Sequence, residues 1–286
     1  MLVQSQIDEY RERGFIAVPD VLPADVLEEL RDEVARFVER SRQVSKNDAV
    51  FDLEPSHTPE VPRLRRLKNP AQVSAVFDRV MRSDALLDLA DPLLGFNGIR
   101  YRNDKLNLKI AEVGSPVEWH QDYAFYPHSN DDVLAIGVCL DDCTLENGCL
   151  RCIPGSHRLP VLDHHAGGAF AGAVRSSDGE LDLSQAEPLV LKAGSVSIHH
   201  ARTLHGSEPN TSNIPRRLWL IELTAADAWP LMGMPDISKF KSWLLRGEEP
   251  PMMRCSDHVV RIPLPQPATV GSIYEVQRQA KETVYR

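Results

Sequence analysis

The stretch KLNLKIAEVGSPVEWHQD (residues 105–122) gives the strongest indication of the fold. Its first half is typical of a β-strand, and the following GSP indicates a turn. Its second half is extended chain that ends on WHQD. Successive side chains of a strand point to opposite faces, so His120 and Asp122 share a face. The sequence therefore predicts an imidazole and a carboxylate aimed at one point.

The sequence on the C-terminal side of about residue 97 is dominated by short β-type runs separated by turn signals. This pattern favours an antiparallel sandwich or barrel. Residues 160–186 are interpreted as a long loop, of the kind that often forms a lid. The runs are KLNLKIAEV, VLAIGVCL, CLRCIPGS, PLVLKAG, SVSIHH and RRLWLIELT.

The N-terminal part of the chain has helical character. A helix is predicted over residues 3–13 and a strand over 15–22. A second helix opens at Pro23, because apolar residues then recur at helical spacing. Residues 44–69 are predicted to be irregular, and residues 71–93 form a further helical stretch. Helices followed by strands suggest one α+β unit with the helices outside the sheet.

Composition excludes several classes of protein. The chain has 286 residues, of which 42% are hydrophobic, enough for a sizeable core. The formal charge of −9 argues against nucleic acid or an anionic membrane surface as a partner. No apolar run reaches the roughly 18–20 residues that span a bilayer, and the N-terminus lacks a signal peptide. A cytoplasmic location is expected, where the five cysteines would not form a disulfide framework.

A metal site needs a third ligand from a distant strand. Among ten histidines the best placed is His205, which follows a strand-like run and precedes a turn. His199 and His200 are rivals on composition. Two histidines with one carboxylate form the facial triad that suits non-haem Fe(II). Zinc is the rival metal for the same residues.

Three sequence blocks resemble the phytanoyl-CoA dioxygenase family of Fe(II)/2-oxoglutarate-dependent oxygenases. They are WHQDYAFYP, LDDCTLENGCLRCIPGSH and LHGSEPNTSNIPRR, and the N-terminal YRERGFIAVPDVLPADVLEELRDEV is also similar. The resemblance covers roughly residues 5–225. It implies a mainly β fold with flanking helices, built on a double-stranded β-helix (jelly-roll). We expect one domain over residues 1–286: N-terminal helices 1–95, a core of about 97–225 and an extension 226–286.

The resemblance implies a role for several residues. His120, Asp122 and His205 match the positions of the iron ligands, which favours His205 over the other two histidines. Arg216 would bind the distal carboxylate of 2-oxoglutarate, because a guanidinium makes two parallel charged hydrogen bonds to a carboxylate. Arg217 would lie on the opposite face of the strand. Further residues expected near the co-substrate are Ser207, Lys109 and Gln121.

The substrate-binding residues are harder to assign. Tyr123, Phe125 and Tyr126 directly follow the iron motif, where they fit either a substrate wall or ordinary core packing. Val138 stands where the family is typically aromatic and is expected to shape the pocket. No basic cradle for coenzyme A is evident, so an acyl-CoA substrate is not expected.

The implied activity is oxidation of a small organic molecule, most simply hydroxylation of a C–H bond in a secondary metabolite. Succinate and CO2 would be released from 2-oxoglutarate and O2, with ascorbate as reductant in vitro. Desaturation, epimerisation or cyclisation by the same oxidant stay open. A cupin-like metal isomerase or hydrolase and a non-catalytic binding protein also remain. The sequence leaves open whether the C-terminal segment closes over the active site or forms a homodimer contact.

Overall fold

The computed structural model describes residues 1–94, 98–111, 113–174, 182–234, 236–266, 273–277 and 284–285. The helices of these ranges come mostly from the N-terminal part of the chain. They are α1 (Gln4–Arg13), α2 (Ala24–Ser41), α3 (Pro70–Val73), α4 (Ala75–Met81), α5 (Asp84–Ala90), α6 (Ile237–Ser242) and α7 (Ile273–Gln277).

The strands lie mainly beyond residue 97, as predicted. They are β1 (Phe15–Val18), β2 (Phe51–Leu53), β3 (Leu64–Lys68), β4 (Gly98–Lys109), β5 (Val117–His120), β6 (Val133–Cys139), β7 (Arg151–Cys152), β8 (His165–Ala166), β9 (Ala169–Phe170), β10 (Glu187–Pro188), β11 (Val196–His200), β12 (His205–Ser207), β13 (Arg216–Ala225) and β14 (Leu244–Gly247).

Two antiparallel sheets form the body of the described chain. The larger has the order β1-β11-β6-β13-β4-β3-β2, with β14 also paired to β4. The smaller has the order β10-β7-β12-β5, and β8 pairs with β9 separately. Side chains of the two sheets meet in the interior, where His199 of β11 lies against His205 of β12 with ring centroids 4.4 Å apart. This arrangement confirms the predicted jelly-roll.

The main hydrophobic core lies between the outer face of the large sheet and the helices. The apolar stripe of α2 packs there through Leu27, Leu30, Val34 and Phe37, all buried. The stripe follows the 3.6-residue period of a helix, which is why this element was predictable. The alternation of β6 and β13 then leaves the opposite face of the sheet for the interior.

The sequence prediction was wrong for residues 44–69, which contain β2 and β3. Leu64 and Leu67 are buried, but Arg65 lies between them and is also buried, paired with Asp52 at 2.9 Å. This ion pair hides the period-2 pattern of β3. The helical stretch over 71–93 divides into α3, α4 and α5, because Ser74 and Ser83 have extended backbone angles.

Two further features of the fold bear on the sequence predictions. None of the described helices is both long and apolar enough to cross a membrane. The five cysteines are free thiols in the structure. Part of the predicted loop, residues 175–181, falls outside the described residues, and the remainder carries β8 and β9.

Candidate metal centre and adjoining cavity

His120, Asp122 and His205 come together in the interior. One ligand atom from each lies within 4.8 Å of the other two, and all three residues are buried. The Nε2 atoms of His120 and His205 are 3.6 Å and 4.0 Å from Asp122 oxygens. His120 and His205 face each other directly across the β5–β12 pair. Asp122 opens a short 3-10 helix immediately after β5, and still reaches the same point as His120.

Hydrogen bonds fix the tautomer of both histidines. The Nδ1–H of His120 donates to the carbonyl of Glu118 at 2.8 Å, and that of His205 donates to the carbonyl of Thr203 at 2.8 Å. A carbonyl can only accept, so Nδ1 carries the proton and Nε2 keeps a free lone pair. Such backbone partners are typical of metal-bound histidines. The donor set, two imidazole nitrogens and a carboxylate, fits Fe(II) with open positions.

The charge state of the site also suits a metal. Burial raises the pKa of Asp122, but the Lys105 charge and contacts with His120 and His199 more than offset it. The pKa of Asp122 therefore lies well below its usual value. Burial, together with the neighbouring His120 and His199, lowers the pKa of His205 well below its usual value. A neutral imidazole and an ionised carboxylate are the forms that bind a metal.

The two rival histidines have different positions. His199 is buried next to the triad, with Nε2 3.4 Å from Asp122 Oδ2, but it is not part of the group of three. His200 points away, with Nε2 3.8 Å from Asp131. Neighbouring strand residues face opposite sides, which separates these two histidines.

Arg216 is the residue predicted to bind the co-substrate carboxylate. Its side chain is buried at the start of β13, and within the described chain its Nε has no hydrogen-bond partner. Lys109 pairs with Arg216 across β4 and β13, and it donates to the carbonyl of Glu208. Burial and the Arg216 charge lower the pKa of Lys109 well below its usual value. An unpartnered buried guanidinium fits a carboxylate ligand.

The other residues predicted near the co-substrate differ in their contacts. Ser207 is buried on β12, next to β5. Gln121 uses its side-chain amide elsewhere: Nε2 donates to the carbonyl of Arg202 at 2.8 Å, and Oε1 accepts from the N–H of Leu162 at 2.8 Å. Gln121 therefore ties down the loop after residue 160. Arg217 pairs with Asp141 on the opposite face of β13 from Arg216, as predicted.

The four predicted substrate residues divide into two groups. Phe125 and Tyr126 line a cavity that also contains Asp122. Tyr123 instead donates its hydroxyl to the carbonyl of His128 at 2.6 Å and packs in a small core cluster. The prediction for Val138 was wrong, because Val138 belongs to the main core between the large sheet and the helices. Its place on β6 turns it away from the interior, where Cys139 points.

The cavity beside Asp122 has a volume of about 250 Å³. Its polar lining comes mainly from β3, β4 and β13, and its apolar lining from Phe125 and the C-terminal segment. The sequence analysis did not identify these polar residues, although strand alternation places Lys105 with Lys109 and Glu222 with Arg216. The lining residues used below are Arg66, Arg102, Asn103, Lys105, Glu222, Phe170, Gln266, Ile273 and Val276.

Helix α7 covers this part of the interior. Gln277 of α7 is fully buried, accepts from the N–H of Glu118 at 3.0 Å and donates to the carbonyl of Gly172 at 2.7 Å. Tyr274 on the same helix is buried, and its hydroxyl has no hydrogen-bond partner in the described structure. Burial raises the pKa of Tyr274 to about 12, and the nearby Arg216 charge partly opposes this increase. The sequence analysis left the position of this segment open.

The fold and the site together define a class of protein: a jelly-roll oxygenase with a two-histidine, one-carboxylate metal centre. The sequence model of the phytanoyl-CoA dioxygenase family matches residues 10–218, and the chain belongs to this family. The protein is an Fe(II)/2-oxoglutarate-dependent dioxygenase that acts with O2 on a small molecule.

Known proteins of this kind are similar over most of the chain. A probable alpha-ketoglutarate-dependent hypophosphite dioxygenase of Stutzerimonas stutzeri is 36% identical over 281 residues, 97% of this chain and 98% of that protein. A methylphosphonate hydroxylase of Gimesia maris is 26% identical, over 76% of this chain and 78% of that protein. The crystal structure of EctD from S. alaskensis with bound Fe shares the fold, with a TM-score of 0.68 at 22% identity, and covers 89% of this chain and 87% of that one.

Proposed function

We propose that this enzyme oxidises a small oxoanion of reduced phosphorus, most simply hypophosphite, to the next oxidation state. The observation that carries the proposal is the cavity beside Asp122, which is small and has an excess of cationic side chains. Its volume is below the roughly 300–1,000 Å³ of pockets for drug-sized ligands. The similarity to the hypophosphite dioxygenase over nearly the whole of both chains supports the same substrate class.

His120, Asp122 and His205 would bind the iron in this proposal, and Arg216 would bind the distal carboxylate of 2-oxoglutarate. The bound iron and co-substrate would supply O2 activation coupled to decarboxylation. Hypophosphite, 2-oxoglutarate and O2 then give phosphite, succinate and CO2, with one oxygen atom inserted into a P–H bond. The chain's own part is to hold both imidazoles as Nδ1–H tautomers, to orient the anion and to exclude water.

Three other residues complete the proposed co-substrate pocket. Lys109 lies beside Arg216 and would add a donor to the same carboxylate. Ser207 would contribute its hydroxyl, and Tyr274 has a buried hydroxyl with no partner in the described chain. We leave Gln121 out of this pocket because its amide is bound to the backbone of the neighbouring loops.

Oxidation of a C–H bond in a small alkylphosphonate is the second candidate function. The observation that favours it is the apolar part of the cavity lining, which includes Phe125, Phe170 and Val276. A secondary metabolite as substrate stays a prediction, and a cavity of about 250 Å³ favours smaller compounds. The single-domain organisation, the cytoplasmic location and a homodimer also stay predictions.

Two experiments test the proposed function. Anaerobic addition of 2-oxoglutarate to the Fe(II)-loaded protein should give the visible absorption band of an Fe(II)–2-oxo acid chelate, and Asp122→Ala should abolish it. In air with ascorbate, hypophosphite should stimulate succinate release more than neutral metabolites of similar size do. Stimulation by neutral compounds alone would contradict an anionic substrate, and absence of the band would contradict the metal assignment.

A further inference from the structure

The cavity beside Asp122 contains a linked set of charges that the iron and co-substrate do not use. Glu222 is 1% exposed and lies between two cations. Its Oε1 accepts from Lys105 Nζ at 2.8 Å, and its Oε2 accepts from Arg102. Lys105 Nζ is also 3.8 Å from Asp122 Oδ1. An anion bound to this lysine would therefore lie beside the proposed metal ligand.

A β-bulge places these groups on one surface. The register between β4 and β13 shifts so that Glu222 pairs with Asn103 and Leu223 pairs with Tyr101. Arg102 is the extra residue, and both Arg102 and Asn103 line the cavity. Bulges near active sites commonly redirect a side chain in this way. The guanidinium of Arg102 stacks on Tyr126, 3.5 Å from the ring centre, which holds it in place.

Two buried polar atoms on the same surface are available to a ligand. Asn103 Oδ1 and Arg66 Nε are buried, and neither has a hydrogen-bond partner in the described residues. Buried polar groups normally have partners, so these two atoms at the cavity surface are available to a ligand with hydrogen-bonding groups. An oxoanion that carries a proton or is accompanied by water could serve both atoms.

The charges also specify the charge of the ligand. Arg66, Arg102 and Lys105 face Asp122 and Glu222, so the lining has one net positive charge. Bound Fe(II) and 2-oxoglutarate carry opposite charges of equal size and leave this balance unchanged. A singly charged anion neutralises the cavity, whereas a doubly charged anion leaves a buried negative charge, which is costly.

We propose that Arg102 and Lys105 bind the oxygen atoms of the substrate anion, and that Glu222 restricts the site to singly charged anions. The inference rests on the proposed function and specifies its substrate site. Hypophosphite carries one negative charge at neutral pH, whereas the phosphite formed from it loses a second proton near neutrality. Glu222 would therefore favour substrate over product and help product to leave.

The test measures anion binding without turnover. The protein is loaded with Mn(II) and 2-oxoglutarate, and the dissociation constants of hypophosphite, phosphite and sulfate are measured by calorimetry at pH 7.5. Arg102→Met and Lys105→Met should each weaken hypophosphite binding at least about tenfold, because each removes a positive charge from the lining of the cavity. Glu222→Gln should strengthen sulfate and phosphite binding about tenfold relative to hypophosphite.

Lys68→Met is the matched control. Lys68 is the cross-strand neighbour of Lys105 in β3, but its ammonium donates to the carbonyl of Asp48 at 2.8 Å. The affinity of the Lys68→Met variant for hypophosphite should stay at the wild-type value. Binding of 2-oxoglutarate and the melting temperature show that each variant is folded. An unchanged sulfate-to-hypophosphite ratio in folded Glu222→Gln would overturn the charge filter.

The same measurements separate this inference from the proposed function. Hypophosphite that binds through Arg102 and Lys105 but yields no phosphite with Fe(II) and O2 would support the anion site and contradict the proposed reaction. Phosphite formation with an unchanged KM in both methionine variants would overturn the anion site and leave the reaction standing.

Discussion

Single residues prepare this site for a metal before any ligand binds. Each histidine of the site donates from Nδ1 to the carbonyl two residues earlier, so the backbone that directly precedes the histidine sets its tautomer. Arg216 and Arg217 show the same local control for the co-substrate. They are adjacent, but strand alternation turns one into the interior and the other to Asp141 outside.

Arg216→Met should raise the dissociation constant of 2-oxoglutarate by about 10- to 100-fold. The expected loss follows from the roughly 1.5–3 kcal/mol of a hydrogen bond to a charged group. Calorimetry with the Mn(II)-loaded protein measures the effect directly. Arg217→Met is the matched control and should bind 2-oxoglutarate as the wild type does. Equal losses in both variants would rule out a specific role for Arg216.

At the scale of elements, β4 joins the helical layer to the interior. Asp104 on β4 is 1% exposed and accepts from the Tyr101 hydroxyl at 2.6 Å, from Trp219 Nε1 on β13 at 2.8 Å and from the N–H of Ala71 on α3 at 3.0 Å. Burial nevertheless raises the pKa of Asp104 to about 6. The folded state therefore binds a proton more tightly at this site than the unfolded chain does.

Asp104 should make stability fall as pH rises. Because its folded pKa is raised, its favourable contribution is complete below the unfolded pKa of about 4 and is lost as pH passes 6. The difference in unfolding free energy between wild type and Asp104→Asn should shrink by about 3 kcal/mol across this window, since each pKa unit is worth ~1.4 kcal/mol. Urea unfolding of both proteins at pH 3.5, 6 and 8 measures it. A difference that stays constant or grows with pH would contradict the account.

Helices and strands were predicted correctly from the sequence where apolar residues recur with the period of a helix or a strand. The stripe of α2 and the alternation of β13 gave the correct element types, and the family motifs assembled the three proposed ligands. The sequence prediction missed β3, because the buried Arg65–Asp52 pair breaks the alternation. It misplaced Val138, because matching this residue to a position of the family pattern does not show which face of β6 its side chain occupies.

The cavity could not be predicted because it depends on contacts between distant segments. Glu222 meets Arg102 and Lys105 only through the paired register of β13 and β4, and a bulge sets that register locally. No periodic pattern in one segment encodes such a contact. The position of α7 against β5 is likewise a long-range packing outcome.

At the scale of the whole molecule, helix α7 completes the interior beyond the family match. Ile273 and Val276 line the cavity, and Gln277 joins α7 to the backbone of Glu118 and Gly172. The family model ends at residue 218, so this cover is a feature of the chain outside the matched region. Ile273 and Val276 of α7 form part of the apolar lining of the proposed anion site.

Gln277→Ala should loosen this cover while the jelly-roll stays folded. The variant leaves the N–H of Glu118 and the carbonyl of Gly172 without their partner, which costs about 1–3 kcal/mol for each buried group. Limited proteolysis should therefore remove the C-terminal segment several times faster than in wild type. Gln4→Ala, at an exposed position on α1, is the control. Equal cleavage rates for all three proteins would show that Gln277 does not anchor the segment.

The most direct test of the central claim follows hypophosphite by phosphorus NMR in the presence of Fe(II), ascorbate, 2-oxoglutarate and O2, with succinate measured in the same sample. The account predicts phosphite and succinate in equal amounts with the wild type, and neither with Asp122→Ala. Succinate formation without phosphite, or phosphite formation that persists in Asp122→Ala, would contradict it.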